Sequence, residues 1–175
     1  MRKGIDPGLQ HSRNRKFERL VEWYQEPILR TCFLYLCDKT LAEDAVQETF
    51  VRVYRSLESF RGDSSEKTWI TKIAMRVCYD LNHSNWYRLM NRYITPDMLP
   101  DSPTGAATEE DEELTLAVMK LPRTLREVIL LYYYQGFKVE EIAEILHIAH
   151  SSVSGRLKRA RTKLKCLLEG REIDE

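Results

Sequence analysis

Apolar residues recur at helical spacing along most of the chain. The stripes run through residues 17–36, 41–57, 69–81, 125–132, 142–146 and 153–164. Spacings of three and four residues place apolar side chains on one face of a helix. The nearest candidate for a strand, 128–134, continues the helical stripe that begins at Leu125. The pattern therefore predicts an all-α fold.

A change of composition near the middle divides the chain. Residues 95–108 gather prolines, a glycine and small polar residues, which is typical of a flexible linker. We therefore expect two small helical domains, at 16–94 and 109–170. Residues 1–15 form a basic N-terminal extension that we expect to be disordered.

Local signals suggest where the helices begin and bend. Thr40 and Glu43 are spaced as a capping box that opens a helix ending near Ser56. Pro27 lies within the first stripe and is expected to kink or restart that helix, because proline lacks the amide that a helix interior needs. Ser151 or Ser152 is expected to cap the last helix.

Residues 138–165 have the pattern of a helix-turn-helix. A short first helix is separated by a break at 147–150 from a longer helix with apolar positions Val153, Leu157, Ala160 and Leu164. Ala143 is small where two helices would cross, and Ile148 would fill the angle between them, as in the two-helix motif that reads DNA. The other faces of the second helix carry Arg156, Lys158, Arg159, Arg161, Lys163 and Lys165. The pattern favours DNA binding over an ordinary solvated basic face.

The charges are balanced in number but not in position. The chain has 27 basic and 27 acidic residues, yet residues 1–19 are mainly basic and residues 97–113 contain acidic residues and no basic one. Basic ends around an acidic middle indicate two separate contacts with a polyanion.

The remaining composition argues against several classes of protein. The four cysteines, Cys32, Cys37, Cys78 and Cys166, form no CxxC pair and are expected to be reduced thiols in apolar stripes. We expect no metal site and no cofactor, since no spacing typical of metal ligands occurs. Without a long uncharged apolar run, the protein is expected to be cytoplasmic and soluble.

Aromatic and basic residues alternate between the second stripe and the linker, most densely in the run Trp86, Tyr87, Arg88, Arg92 and Tyr93. A polar loop at 60–67 precedes a helix that carries Trp69, Lys72 and Arg76. Rings stack on unpaired bases while cations follow the phosphates, so this loop is a candidate pocket for an extruded base. Trp69 also has helical spacing to Ile73, and the core is the stronger interpretation for this ring.

Two segments resemble a known family. The first is AEDAVQETFVRVYRSLESFRGDSSEKTWITKIA, which is similar to region 2 of the sigma-70 class of bacterial RNA polymerase initiation factors. The second is MKLPRTLREVILLYYYQGFKVEEIAEILHIAHSSVSGRLKRARTKL, which is similar to region 4. Their order and the linker between them resemble the compact extracytoplasmic-function (ECF) group, which has only these two regions. The resemblance covers roughly residues 16–168.

The resemblance implies a sigma factor. Such a protein binds core RNA polymerase and directs promoter-specific initiation by reading the minus-35 and minus-10 elements and stabilising the melted strand. It has no catalytic activity and no small-molecule substrate. The implied partners are core polymerase, promoter DNA and an anti-sigma factor, often membrane-anchored. A helix-turn-helix regulator that never binds core polymerase is the alternative, and an all-helical enzyme lacks a catalytic set at motif spacing.

The resemblance also assigns residues to each contact. Polymerase binding, within a docking motif at about 44–57, falls to Asp44, Gln47, Glu48 and Arg52. Minus-10 binding falls to Phe60, Arg61, Ser64, Lys67, Trp69, Lys72 and Arg76. Minus-35 binding falls to Ser151, Ser152, Ser154, Gly155, Arg156, Lys158, Arg159, Arg161 and Lys163.

Some positions depart from the family pattern. Ser154 and Gly155 stand where relatives often carry a basic base reader, and Arg76 stands where many have asparagine. His147 occupies a turn position where glycine is usual, which implies either a left-handed histidine or a different turn. The phosphate contacts are therefore better defined than the base preferences.

Overall fold

The computed structural model describes residues 7–84 and 108–170, and every regular element in these ranges is helical. The helices are α1 (Pro7–Leu36), α2 (Lys39–Ser56), α3 (Glu66–Ser84), α4 (Glu109–Lys120), α5 (Arg123–Ile129), α6 (Val139–Leu146) and α7 (His150–Leu168). A 3-10 turn, Leu57–Ser59, follows α2, and a π-helical turn, Leu130–Tyr134, follows α5. The all-α prediction is confirmed. The linker residues 95–107 and the aromatic and basic run that begins at Trp86 lie outside the described residues.

Helix α1 begins at Pro7, so the prediction of a disordered extension is wrong for residues 7–15. Side-chain contacts with α2 and the turn after it hold this part of the helix. Nη1 of Arg13 lies 2.9 Å from Oε1 of Glu58, and Nη2 donates to the carbonyl of Tyr54 at 2.8 Å. Proline is also well suited to the first position of a helix, because the amide it lacks would have no helical partner there.

Helix α1 also continues through Pro27 without restarting. Ile28 and Cys32 are buried on the far side of the proline, as Leu20 is before it. Packing of this apolar face against α2 and α3 outweighs the missing amide. Oγ1 of Thr31 donates to the carbonyl of Pro27 at 2.9 Å within the same segment.

Helix α2 is capped by Asp38 and not by Thr40, so that predicted capping box is wrong. A carboxylate oxygen of Asp38 accepts from the amide of Leu41 at 3.0 Å. The chain reverses at Cys37, whose φ is 54°, and this places Asp38 at the start of the helix. Thr40 then lies inside the first turn, where it is exposed.

The second half contains the predicted helix-turn-helix. Val153, Leu157 and Ala160 are buried along one side of α7, which confirms the apolar stripe. Helix α7 begins two or three residues earlier than expected, with Ala149 at the N-cap and no side-chain cap. The expected caps, Ser151 and Ser152, therefore lie inside the first turn.

The two halves pack against each other around one shared apolar core. Nη1 of Arg126 in α5 donates to the carbonyl of Tyr35 at 2.8 Å, near the end of α1. The last carbonyls of a helix lack amide partners within it, so the guanidinium satisfies a group that α1 leaves open. Contacts of this kind fix the position of the second half relative to the first.

Candidate nucleic-acid interface

Helix α7 presents a polar face on the side opposite its buried residues. Helical periodicity places Ser151, Gly155 and Lys158 along the middle of that face. Ser152, Ser154 and Arg159 flank the middle and are exposed, as are Ser151 and Lys158. The face thus has short hydroxyls near the N-terminus of the helix and cations farther along, and such groups can contact base edges and phosphates.

Arg156 lies to one side of this face and is held within the protein. Its Nη1 is 2.5 Å from Oε1 of Glu127 in α5, and the two side chains are only 22 % and 12 % exposed. Burial raises the pKa of Glu127, and the attraction of Arg156 and Arg123 opposes that shift. Arg156 therefore joins α7 to α5, a role that the spacing along the chain did not reveal.

Arg161 and Lys163 occupy the flanks of α7. Nε of Arg161 donates to the hydroxyl of Tyr133 at 2.8 Å, while the side chain remains exposed. Lys163 is half-buried. Of the predicted minus-35 cations, Lys158 and Arg159 are thus the two that stand exposed near the middle of the face.

The turn between α6 and α7 contains a left-handed histidine. His147 has φ 52° and ψ 45°, which decides between the two turns that the sequence left open. The amide of Ile148 donates to the carbonyl of Ala143 at 3.1 Å across this turn. A left-handed residue after the last helical turn lets the chain close onto those carbonyls. The histidine therefore sets the angle at which α7 leaves α6.

The predicted minus-10 loop is ordered around two stacked rings. The ring centroids of Phe60 and Trp69 are 4.4 Å apart with an interplanar angle of 20°. Trp69 is partly buried, and its ring packs against the apolar core. Arg61 is exposed and Ser64 is half-buried.

Two predicted minus-10 cations contact the second half of the protein. Nζ of Lys67 donates to the carbonyl of Gln135 and lies 4.9 Å from the ring centroid of Phe137. Nζ of Lys72 is 3.7 Å from Oε1 of Glu144 in α6. Arg76 is exposed one turn farther along α3 and pairs with Asp80 at 3.3 Å. We call this arrangement, in which the second half of the chain contacts α3, the closed packing. It covers part of the predicted minus-10 surface.

The predicted docking residues on α2 divide into two groups. Asp44 and Gln47 are exposed. Glu48 is 2.7 Å from Nε of Arg52, and Nη1 of Arg52 is 3.4 Å from Asp80 in α3. The hydrogen bond with Glu48, followed by the one with Asp80, raises the pKa of Arg52, while burial opposes the shift. Arg52 thus braces α2 against α3, and Asp44 and Gln47 face outward.

Neither a metal centre nor a membrane span is found in residues 7–84 and 108–170. No group of three or more His, Cys, Asp or Glu residues there could hold a metal ion. No helix in those ranges is long and apolar enough to cross a membrane. All four cysteines are free, and a hydrogen bond with Cys32 together with burial raises the pKa of Cys78.

Comparisons with known proteins match both halves of the chain. The model of sigma-70 region 2 matches residues 20–88, and the model of sigma-70 region 4 matches residues 111–164. The RNA polymerase sigma factor YlaC of Bacillus subtilis is 33 % identical over 159 residues, which is 85 % of this chain and 89 % of that one. The ECF RNA polymerase sigma factor SigX of the same organism is 31 % identical over 152 residues, or 78 % of this chain and 75 % of that one.

The fold also matches a solved sigma factor. The sigma factor RpoE of Bartonella quintana, crystallised with the anti-sigma factor NepR, superposes with a TM-score of 0.76 at 21 % identity, over 89 % of this chain and 98 % of that one. This likeness shows the fold, and the sequence matches show the family. The chain belongs to the sigma-70 family, in the ECF group of RNA polymerase sigma factors, which direct promoter-specific transcription.

Proposed function

We propose that this sigma factor contacts promoter DNA and core polymerase through three surfaces formed by different helices. The outward face of α2 binds core polymerase, the loop at 60–67 with α3 reads the minus-10 element, and α7 reads the minus-35 element. The observation that carries the proposal is that Asp44 and Gln47 on α2 are exposed. They lie in the first half of the chain, whereas the helix-turn-helix lies in the second half. A protein that only bound duplex DNA would need no such face.

At the minus-35 element, the polar face of α7 enters the major groove. Lys158 and Arg159 neutralise phosphates, and Ser151, Ser152 and Ser154 reach base edges through hydroxyls that both donate and accept. A serine hydroxyl discriminates less sharply than an arginine that pairs bidentately with guanine. Arg156 acts indirectly, because its ion pair with Glu127 orients α7. Arg161 and Lys163 meet phosphates at the flanks.

At the minus-10 element, the loop holds one base turned out of the stack. Phe60 and Trp69 form the wall of that pocket through their stacked rings, and Arg61 and Ser64 line the loop beside it. Lys67, Lys72 and Arg76 follow the strand along α3. Because Lys67 and Lys72 contact the second half in the closed packing, the two halves must separate before both cations reach DNA.

The sigma factor acts through the free energy of binding and not through a chemical step. Turning a base out of the stack costs a few kcal/mol, and neutralised phosphates, the base pocket and the polymerase contact together offset it. The two readers belong to one chain, so binding of one raises the effective concentration of the other. The protein makes and breaks no covalent bond, and it works in the cytoplasm where polymerase and chromosome are found.

We also propose an anti-sigma factor as a regulatory partner. RpoE of Bartonella quintana was crystallised with the anti-sigma factor NepR, and its fold covers nearly all of this chain. A protein that stabilised the closed packing would keep Lys67 and Lys72 away from DNA.

The proposal is tested first by transcription. Purified protein added to core polymerase is expected to start run-off transcripts from a subset of a random promoter library, and core alone is not. If no run-off transcript depends on the added protein, the proposed function is refuted. If the helix-turn-helix half alone is enough to direct initiation, the docking role of α2 is refuted.

The docking face is tested by co-elution with core polymerase. Asp44→Lys combined with Glu48→Lys is expected to abolish co-elution. Because Glu48 also pairs with Arg52, a second variant, Asp44→Lys with Gln47→Ala, leaves that pair in place and is expected to weaken co-elution as well. The control for the first variant is Glu22→Lys with Glu26→Lys, which reverses two exposed acidic residues of α1. This control should co-elute normally. Normal co-elution of both α2 variants would refute the docking claim.

A further inference from the structure

A tryptophan on α1 is exposed beside the predicted minus-10 loop. Trp23 is 58 % exposed, although Leu20 and Tyr24 of the same helix face the core. A large ring on an otherwise polar face leaves apolar area in contact with water, and a stacked ligand would remove that area from water. The sequence by itself indicates that Trp23 is exposed, because this residue lies outside the apolar stripe of residues 17–24.

Arg19 ties this ring to the start of α3. The guanidinium carbon of Arg19 lies 5.2 Å from the ring centroid of Trp23, one helical turn away. Nη2 of the same guanidinium is 2.7 Å from Oε1 of Glu66, in the first turn of α3. The ring is thus held next to the end of the loop at 60–67, with a cation beside it.

The rings of Phe60 in the loop and Trp69 in α3 stack on each other, so much of their area is already covered. Phe60 stacks on Trp69, and Nζ of Lys16 in α1 lies 5.6 Å from the Phe60 ring centroid. Lys16 and Arg19 therefore place positive charge along the side of α1 that borders the loop. Trp23 adds an exposed ring at the end of that basic row.

We propose that Trp23, supported by Arg19, is a stacking platform for an unpaired base of the melted promoter strand, next to the base held by the loop. The inference rests on the proposed sigma function and extends its DNA contact from α3 onto α1. Stacking on a ring tolerates any base, because every base has a π-face, and nearby cations follow the phosphates. The cations Lys16 and Arg19 beside the ring and the loop favour a DNA strand over a protein partner as the ligand, although the neighbouring Glu22 and Glu26 are acidic and exposed.

The experiment uses holoenzyme assembled with the full chain and a promoter selected from the library. The probe is fork-junction DNA whose non-template strand is single-stranded through and beyond the minus-10 element, with 2-aminopurine or an abasic site placed at successive positions. Trp23→Leu is expected to weaken binding to the intact fork by about 10-fold, the usual cost of losing one stacked base. Trp23→Tyr keeps a ring and is expected to retain most of the affinity.

The position-specific probes separate stacking from other roles. Wild-type holoenzyme is expected to quench 2-aminopurine at one position outside the loop pocket, and Trp23→Leu to lose that quenching. On a fork that is abasic at this position, wild type and Trp23→Leu should bind equally.

Three results are distinguished. If wild type initiates transcription and Trp23→Leu binds every fork as wild type does, the platform is refuted while the sigma function stands. If Trp23→Leu instead impairs assembly with core polymerase, the ring contacts protein and the inference is overturned. If the wild-type protein directs no initiation, the proposed function itself fails.

Discussion

Nε2 of Gln135 donates a hydrogen bond of 2.6 Å to Oγ1 of Thr31, and so joins the second half of the chain to α1. The same nitrogen also donates to the carbonyl of Pro27 at 3.1 Å. Both side chains are buried, with Gln135 6 % and Thr31 1 % exposed. Removing Gln135 would therefore leave buried polar groups of α1 without these partners.

Gln135→Ala is expected to loosen the packing of the two halves. Two lost hydrogen bonds of about 1 kcal/mol each change the ratio of open to closed protein by roughly 30-fold. Small-angle scattering of the free protein should show a larger radius of gyration. The free variant should also bind single-stranded minus-10 DNA more tightly, since Lys67 and Lys72 leave the second half.

Gln25→Ala, on an exposed position of α1, is the matched control and should leave the radius of gyration unchanged. An unchanged radius for Gln135→Ala as well would show that this contact does not hold the halves together.

Gly155→Ala is expected to stabilise α7. Glycine in a helix interior costs about 1 kcal/mol relative to alanine, and a Cβ at this position meets no heavy atom within 4 Å. Urea unfolding should give a gain of about 1 kcal/mol.

Gly136→Ala provides the contrast, because Gly136 has φ +70°. An L-residue in this conformation is strained by about 1 kcal/mol, so the variant should lose stability although its Cβ also meets open space. Equal effects of the two substitutions would contradict the backbone assignment.

Asp38→Ala is expected to destabilise the first half by about 1 kcal/mol, the usual effect of removing an N-cap. Thr40→Ala tests the cap that the sequence suggested. Thr40 is exposed inside the first turn, so its loss should change the free energy of unfolding by less than about 0.5 kcal/mol. Thermal unfolding of the two variants compares them directly, and a larger loss for Thr40→Ala would restore the alternative cap.

The buried carboxyl of Glu127 makes stability depend on pH. Its raised pKa in the folded protein means that the folded state binds its proton more tightly than the unfolded state, whose glutamate pKa is about 4.3. This contribution is complete below the unfolded pKa and is lost as the pH rises through the folded pKa.

Glu127→Gln removes this titration. Urea unfolding of wild type and variant from mildly acidic to mildly alkaline pH is expected to show the free energy of unfolding of wild type falling relative to that of the variant. A difference that grows in favour of wild type with pH would show that the pair with Arg156 lowers the pKa of Glu127 instead.

The sequence predicted the fold and the family well because both depend on periodic signals. The stripe at Val153, Leu157 and Ala160 appears in the structure as a buried face, since helical geometry alone places residues three and four apart on one side. The motif similarity rests on the same local information. Exposure of Ser151, Ser152, Lys158 and Arg159 follows from that periodicity too.

The end points of helices were less predictable. Asp38 and Ala149 are N-caps because of where the preceding chain turns, at Cys37 and at His147, which both have positive φ. A capping motif in the sequence competes with its neighbours, and the turn geometry decides which residue is first in the helix.

The sequence by itself determined the helices, the helix-turn-helix and the two sigma regions, because these arise from contacts between near neighbours along the chain. Only the tertiary structure decided which basic side chains are held by partners within the protein. Arg156 is held by Glu127, Arg52 by Asp80, and Lys67 by the carbonyl of Gln135. These partners lie 28 or more residues away, and no periodicity relates residues so far apart; their contact depends on how the helices pack.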